Sequence, residues 1–187
     1  MAQILLISPE YIYQNTDVNT SVETAKMTPY IRLAQDMWIE PLLGTKLMNK
    51  IKDDSDDGTI AGNYLTLRND YLRPALVWFT YQEMLPSLNY KIDNGSIAQH
   101  NSENTSAVGM TEMNRRIEDA KKNSRFYAQR LQTYICDNSS FFPELNTNTG
   151  SEVTPTYNNH LSFMTTDNNH DMGAARRIYP RYMIDRQ

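Results

Sequence analysis

Residues 111–138 read TEMNRRIEDAKKNSRFYAQRLQTYICDN, and the fold class turns on how this stretch is read. Met113, Ile117, Ala120, Ser124, Tyr127, Leu131 and Tyr134 alternate four and three positions apart, which places them on one face of a helix. The opposite face carries Arg115, Glu118, Lys122, Arg125 and Gln129, with Glu118 one turn before Lys122 where the pair supports the helix. One long helix is predicted, closed by Phe141-Phe142-Pro143. A heptad-like spacing also suits a coiled coil, but about four repeats broken by Ala and Ser favour packing inside a bundle. Cys136 falls in this helix; as the single cysteine it makes no internal disulfide, fits a reducing compartment and is expected to be a small packing residue.

Working outward, residues 63–90 form a second helical region. Tyr64, Tyr71, Leu72, Ala75, Leu76 and Phe79 share one side, while Val77, Trp78, Tyr81 and Met84 extend the apolar surface around the rest, the pattern of a central helix. Pro74 predicts a break or kink in its middle, with Pro86 near its end. Upstream, Thr28-Pro29 reads as a helix start followed by Ile31, Ala34, Trp38 and Leu42 at helical spacing, with Pro41 stopping or kinking the run. After a Leu43-Gly44 turn, Thr45 is a candidate cap for a short helix with Leu47, Met48 and Ile51 on one face, ended by DDSDDG at 53–58. That acidic run resembles part of a calcium loop but has Tyr64 where the twelfth position needs a bidentate Glu, so a solvated loop is expected.

At the start, Ile4 to Ile7 reads as a short strand or docking segment, Ser8-Pro9 as a helix start, and 14–21 as a polar loop. Residues 91–109, which include Asp93-Asn94-Gly95, are too polar and turn-rich for a buried element and read as an extended arm or hairpin. The predicted fold is therefore mainly α: a helical bundle with a long C-terminal helix, an extended arm or hairpin, and an extended C-terminal tail. Trp38, Leu42, Tyr71, Leu76, Trp78, Phe79, Ile117, Tyr127 and Leu131 are its predicted core. A helical domain over 1–145 is expected, followed by a polar, then basic, tail over 146–187 that orders only on other chains. Four arginines, Arg176, Arg177, Arg181 and Arg186, interleave there with Tyr179 and Tyr182. Arg with Tyr is the composition of protein-interface anchors, and it also suits single-stranded nucleic acid.

Composition narrows the function. With 18 basic against 22 acidic residues the net charge is −4, which argues against a general nucleic-acid coat. The N-terminal apolar run is too short for a signal peptide, and no stretch approaches the ~20 apolar residues of a membrane span, so a soluble protein is expected. His100, His160 and His170 lie far apart in polar segments, without the spacing of a zinc or proton-relay site. The common nucleophile, zinc, P-loop and dinucleotide motifs are absent from the sequence. Asp36 and Glu40 share a helix face beside Trp38, but two carboxylates without a third polar partner read as a solvated face. Neither enzyme activity nor a metal or cofactor is expected.

Three stretches carry a family resemblance: TPYIRLAQDMWIEPLLGTKLMNKI at 28–51, YLRPALVWFTYQEMLPSLNYKIDNGSI at 71–97, and RFYAQRLQTYICDNSSFFPEL at 125–145. Together they resemble the head-tail connector proteins of crAss-like and related Bacteroidetes-infecting phages, and more distantly the helical adaptors beneath the portal of other tailed phages. The resemblance spans roughly residues 20–145 and rests on segments of structural character. It implies a virion protein of the neck, assembled in the host cytoplasm as a homo-oligomeric ring, dodecameric to match the portal. Such a ring has the portal and further tail or ring proteins as partners, and DNA passes through its channel without sequence-specific binding. The portal-contacting arm of such adaptors maps onto Arg176, Arg177, Tyr179, Arg181 and Tyr182, with Arg186 as a further neighbour-contact candidate. The alternative reading is a nucleic-acid-binding accessory protein that uses the same basic tail.

Overall fold

The N-terminal segment is held by side chains rather than by a sheet. In the computed structural model, which describes residues 4–20, 22–88, 90–93, 96–99, 109–147 and 152–155, Leu6 and Ile7 are buried without forming a strand. Gln35, itself fully buried, accepts from the Leu6 amide at 2.8 Å and donates to the Ile4 carbonyl at 3.2 Å. Arg73 donates to the Leu6 carbonyl at 3.0 Å. Helix α1 (Pro9–Asn15) then starts as its sequence predicts, with Pro9 in the first turn and the Ser8 hydroxyl accepting from the Tyr11 amide.

Helix α2 (Thr24–Ala34) begins one turn earlier than Thr28-Pro29 signalled. Pro29 lies inside it, on an exposed face, so the carbonyl left without a proline N–H partner is one that water can reach. The same helical path widens into a π-turn over Gln35–Ile39 and resumes as α3 (Glu40–Leu43). Gly44, at φ 78 and ψ 155, makes the turn into α4 (Thr45–Asp56), a backbone shape open essentially to glycine alone. Thr45 is not the cap: it is the first helical residue, and its hydroxyl donates to Glu40 Oε1 at 2.7 Å. Helix α4 also runs through most of the acidic stretch expected to be a loop, ending only at Asp56.

Helix α5 (Gly62–Thr66), a second π-turn (Leu67–Leu72) and α6 (Arg73–Leu88) form one continuous path. Pro74 therefore does not break the helix as expected. A proline ring collides with the carbonyl four residues back, and both Pro41 and Pro74 follow a π-turn by two residues. The widened turns, closed by Glu40 N–H to Gln35 O and Arg73 N–H to Arg68 O, take up the misfit without a break. They also deliver Gln35 and Arg73 to the N-terminal segment.

Strands β1 (Tyr90–Asp93) and β2 (Ser96–Gln99) pair antiparallel with Asp93 opposite Ser96, so the predicted arm begins as a hairpin. Helix α7 (Met110–Asp137) is the long helix read from the sequence, followed by 3-10 turns at Ser139–Phe141 and Pro143–Asn146. It runs antiparallel to α6: Tyr71 stacks on Tyr134 at 4.0 Å, and Ser124 donates to Gln82 at 2.9 Å. Met113, Ala120, Ser124, Ala128, Leu131 and Ile135 form its buried face, with Ile117, Tyr127 and Tyr134 along the margin.

The protein is thus a mainly α-helical bundle centred on α6. Leu42, Leu76, Phe79 and Leu131 of the predicted core are buried; Trp38, Tyr71, Trp78, Ile117 and Tyr127 pack half-buried against them. Trp38 stacks on Phe79 at 5.0 Å and donates from its indole to Glu83 at 3.0 Å, which ties the first π-turn to α6. Each large apolar side chain buried this way stabilises the fold by roughly 1.5–3 kcal/mol. The core continues past α7 through Phe142 and Leu145. Residues 152–155 return to the start of α4, where the Thr45 amide donates to the Val153 carbonyl, the Val153 amide to the Thr45 hydroxyl, both at 3.0 Å, and Lys46 pairs with Glu152 at 3.3 Å.

Candidate functional site

Two groups of side chains stand out, and their chemistry differs. The first joins three elements. Asp17, in the loop after α1, accepts from the Tyr81 hydroxyl of α6 and from Arg116 of α7. It sits in an open cleft of about 680 Å³ whose walls include Trp78, Arg115, Asp119 and Asn123. The Tyr81 hydrogen bond and, behind it, Arg116 hold the Asp17 carboxyl below its ordinary range. Burial and Asp17 push the Tyr81 phenol up to about 12, and Asp17 raises Arg116 further. All three groups move away from neutral pH, opposite to what a general acid or base requires. The triad acts as a clamp that fastens the 16–20 loop to α6 and α7.

The second group is a ladder of rings that runs from the surface of α7 inward to the segment after it. Phe126 meets Tyr127 edge-on at 5.2 Å, and the Arg130 guanidinium lies over both Tyr127 at 5.9 Å and Tyr71 at 5.3 Å. Beyond the Tyr71–Tyr134 stack, Tyr134 reaches Phe142 at 6.2 Å and Phe142 meets Tyr64 edge-on at 5.3 Å. Tyr64 ends the ladder by donating to Glu144 at 2.8 Å, with Lys50 over its ring at 5.8 Å. Burial and Glu144 push the Tyr64 phenol up to about 12, and burial raises that of Tyr134. A shallow groove of about 460 Å³ opens along Tyr71, Phe126, Gln129, Arg130, Thr133 and Tyr134.

The inner rungs are packed; the outer end is not. Phe126 is 57% exposed. Large aromatics around a pre-oriented arginine are the composition of binding hot spots, because they offer contact area and directed hydrogen bonds at small entropic cost. The arrangement is suited to holding a macromolecular partner.

Several sequence expectations meet the structure differently. Cys136 is exposed on α7 rather than packed in the core, and partial desolvation together with Asp137 raises its pKa. Asp36 and Glu40 do not form a site: Asp36 lies 3.9 Å from Lys52 and Glu40 accepts from Thr45. Among the described residues no cluster of three potential metal ligands occurs, and no helix is long and apolar enough to cross a membrane. His100, His160, His170 and the tail candidates Arg176, Arg177, Tyr179, Arg181, Tyr182 and Arg186 lie outside the described residues. The ladder was missed by sequence reading because the contacts that join its parts, Tyr71–Tyr134 and Tyr64–Phe142, link residues about 60 to 80 positions apart, although Tyr64, Tyr71, Tyr127 and Tyr134 each fall on a helix face in the sequence.

Residues 39–155 match a family described as a family of unknown function (DUF6712), and the chain belongs to that family. The matched span contains the ladder from Tyr64 to Phe142, the Tyr81–Arg116 half of the clamp and the return to α4. No curated protein and no solved structure matches the chain.

Proposed function

We propose that this protein is a structural subunit of a tailed-phage particle, a head-to-tail connector that forms a ring, dodecameric to match the portal, beneath which it sits. Its sequence resemblance to such connectors is the observation that carries the reading. Physical features agree with it: a stiff helical frame, an aromatic ladder whose exposed end carries Phe126 beside Arg130 for gripping a neighbour, and a polar stretch after the helices that carries Arg and Tyr. A net charge of −4 suits a channel through which DNA slides, because strong phosphate binding would arrest it. In this reading the protein has no catalytic task, and its partners are its own copies, the portal and the next ring or tail protein.

The test uses the purified full chain, alone and mixed with the portal protein of the same virus. Native mass and negative-stain images are expected to show rings seated on one end of the portal. A chain that stays monomeric and never joins the portal defeats the proposal. Retention of single-stranded DNA that falls steeply with salt, in the absence of ring formation, favours the accessory nucleic-acid-binding alternative instead.

A further inference from the structure

Helix α4 starts without the groups that ordinarily close a helix N-terminus. Gly44, at its N-cap position, has no side chain to offer, and the first turn holds no acidic residue against the partial positive charge there. Both are supplied from residues 152–153, 108 positions further along the chain. The Val153 carbonyl accepts from the Thr45 amide at 3.0 Å, as a cap would, and Glu152 lies 3.3 Å from Lys46 in the first turn. The Thr45 hydroxyl completes the contact by accepting from the Val153 amide at 3.0 Å and donating to Glu40 Oε1 at 2.7 Å. Residues 152–155, the start of α4 and the start of α3 therefore share one chain of hydrogen bonds.

Polar contacts alone hold this segment down. Val153 is 43% exposed and Thr154 is exposed beside it, whereas the buried core of the described residues ends upstream at Leu145. Each of the two hydrogen bonds, and the partly exposed ion pair, is worth about five-fold or less in an opening equilibrium, far below the summed apolar packing of the bundle. We propose that residues 152–155 are a releasable strap: closed, it caps α4; open, it frees the chain that follows and loosens the first turn of α4 while the bundle stays folded. Thirty-two residues follow Pro155, and any partner that pulls on them draws on this opening first. Through Thr45 and Glu40 the opening is felt at the helical path that leads back to the first π-turn. The family match runs to residue 155 and so includes the strap. The device is independent of the connector reading, since it depends only on contacts within one chain.

Amide hydrogen exchange of the full chain, read residue by residue by NMR, tests the strap at three places. The Thr45 and Val153 amides report the strap itself, the Met48 amide, which donates to the Gly44 carbonyl at 3.0 Å, reports the first turn of α4, and buried Leu76 and Phe79 of α6 report the bundle. In the wild type, exchange at Thr45 and Val153, corrected for intrinsic rates, should outpace α6 by roughly a hundred-fold or more. Glu152→Lys removes the ion pair without altering α4 and should speed Thr45, Val153 and Met48 together by up to about five-fold, with α6 exchange and the circular dichroism melt unchanged. Adding Lys46→Glu to that variant should restore the Val153 rate. Thr45→Val removes the hydroxyl that accepts from Val153 and should speed Val153 by about five-fold through a different contact. Exchange at Thr45 and Val153 as slow as in α6 means that the segment opens only with the bundle, and overturns the proposal. A response confined to Val153, with Met48 unmoved in both variants, overturns the capping role. A double variant that stays as fast as Glu152→Lys overturns the part assigned to the ion pair.

Discussion

Gln35 does for the N-terminal segment what a neighbouring strand would do, since its amide accepts from Leu6 and donates to Ile4 while fully buried. Gln35→Leu keeps the volume near enough to pack but strands the Leu6 amide, a loss of about 1–3 kcal/mol. The urea midpoint should fall with no change in slope; an unchanged midpoint would show that the segment contributes nothing to global stability. Tyr81 and Tyr64 give the pH dependence at this scale. Both phenols are raised from 10.0 to about 12, so the folded chain holds these protons more tightly than the unfolded chain does. Their stabilisation is complete below pH about 10 and is lost as pH rises toward about 12. Replacing both by Phe should flatten the fall in melting temperature across that alkaline window. Asp17 works with the opposite sign: its carboxyl is lowered, so its contribution is present above the ordinary Asp range and disappears as pH falls through the folded value. Tyr81→Phe removes the largest cause of that lowering and should also shrink the acid-side loss.

At the scale of elements, the two π-turns explain both the continuity of the helices and the limits of reading them from sequence. Each adds a residue to a turn two positions before a proline, so deleting one residue from Leu67–Leu72 restores regular spacing and drives Pro74 against the carbonyl four back. Asp70 is exposed, and Asp70→Ala should change stability by less than ~0.5 kcal/mol. Deletion of Asp70 should cost about 3 kcal/mol or more, because every residue upstream either rotates by ~100° or keeps the clash. Equal denaturation midpoints for the two variants would show that the π-turn stores no such constraint. The long helix α7 was legible because its stripe keeps one period from Met113 to Tyr134. The π-turns were not, since an inserted residue shifts the phase without changing any residue type. Thr28-Pro29 misled for a related reason: a proline on an exposed face is tolerated inside a helix as well as at its start. Gln35 was hidden by its polarity, although it continues the buried face of Ile31 and Ala34.

For the whole molecule, the division of labour between body and tail can be separated experimentally. Residues 152–155 are tied back to α4 of the same chain by Thr45 and Lys46, so whatever the basic end reaches, it starts from that anchor. Thirty-two residues follow Pro155, and the chain's last arginine cluster lies within them. In the proposed ring the helical body holds copies together, while the Arg- and Tyr-bearing end grips the portal. Replacing Arg176, Arg177 and Arg181 by Ala should therefore leave helical content, melting temperature and ring mass unchanged, while weakening attachment to the portal by an amount that grows as salt is lowered toward the wild-type optimum for binding. Cys136, exposed on α7, offers a place to attach a fluorophore for that measurement without touching the tail. If the triple variant instead loses its ring and binds the portal normally as single copies, the roles are exchanged: the tail closes the ring, and the ladder on α7 faces the portal.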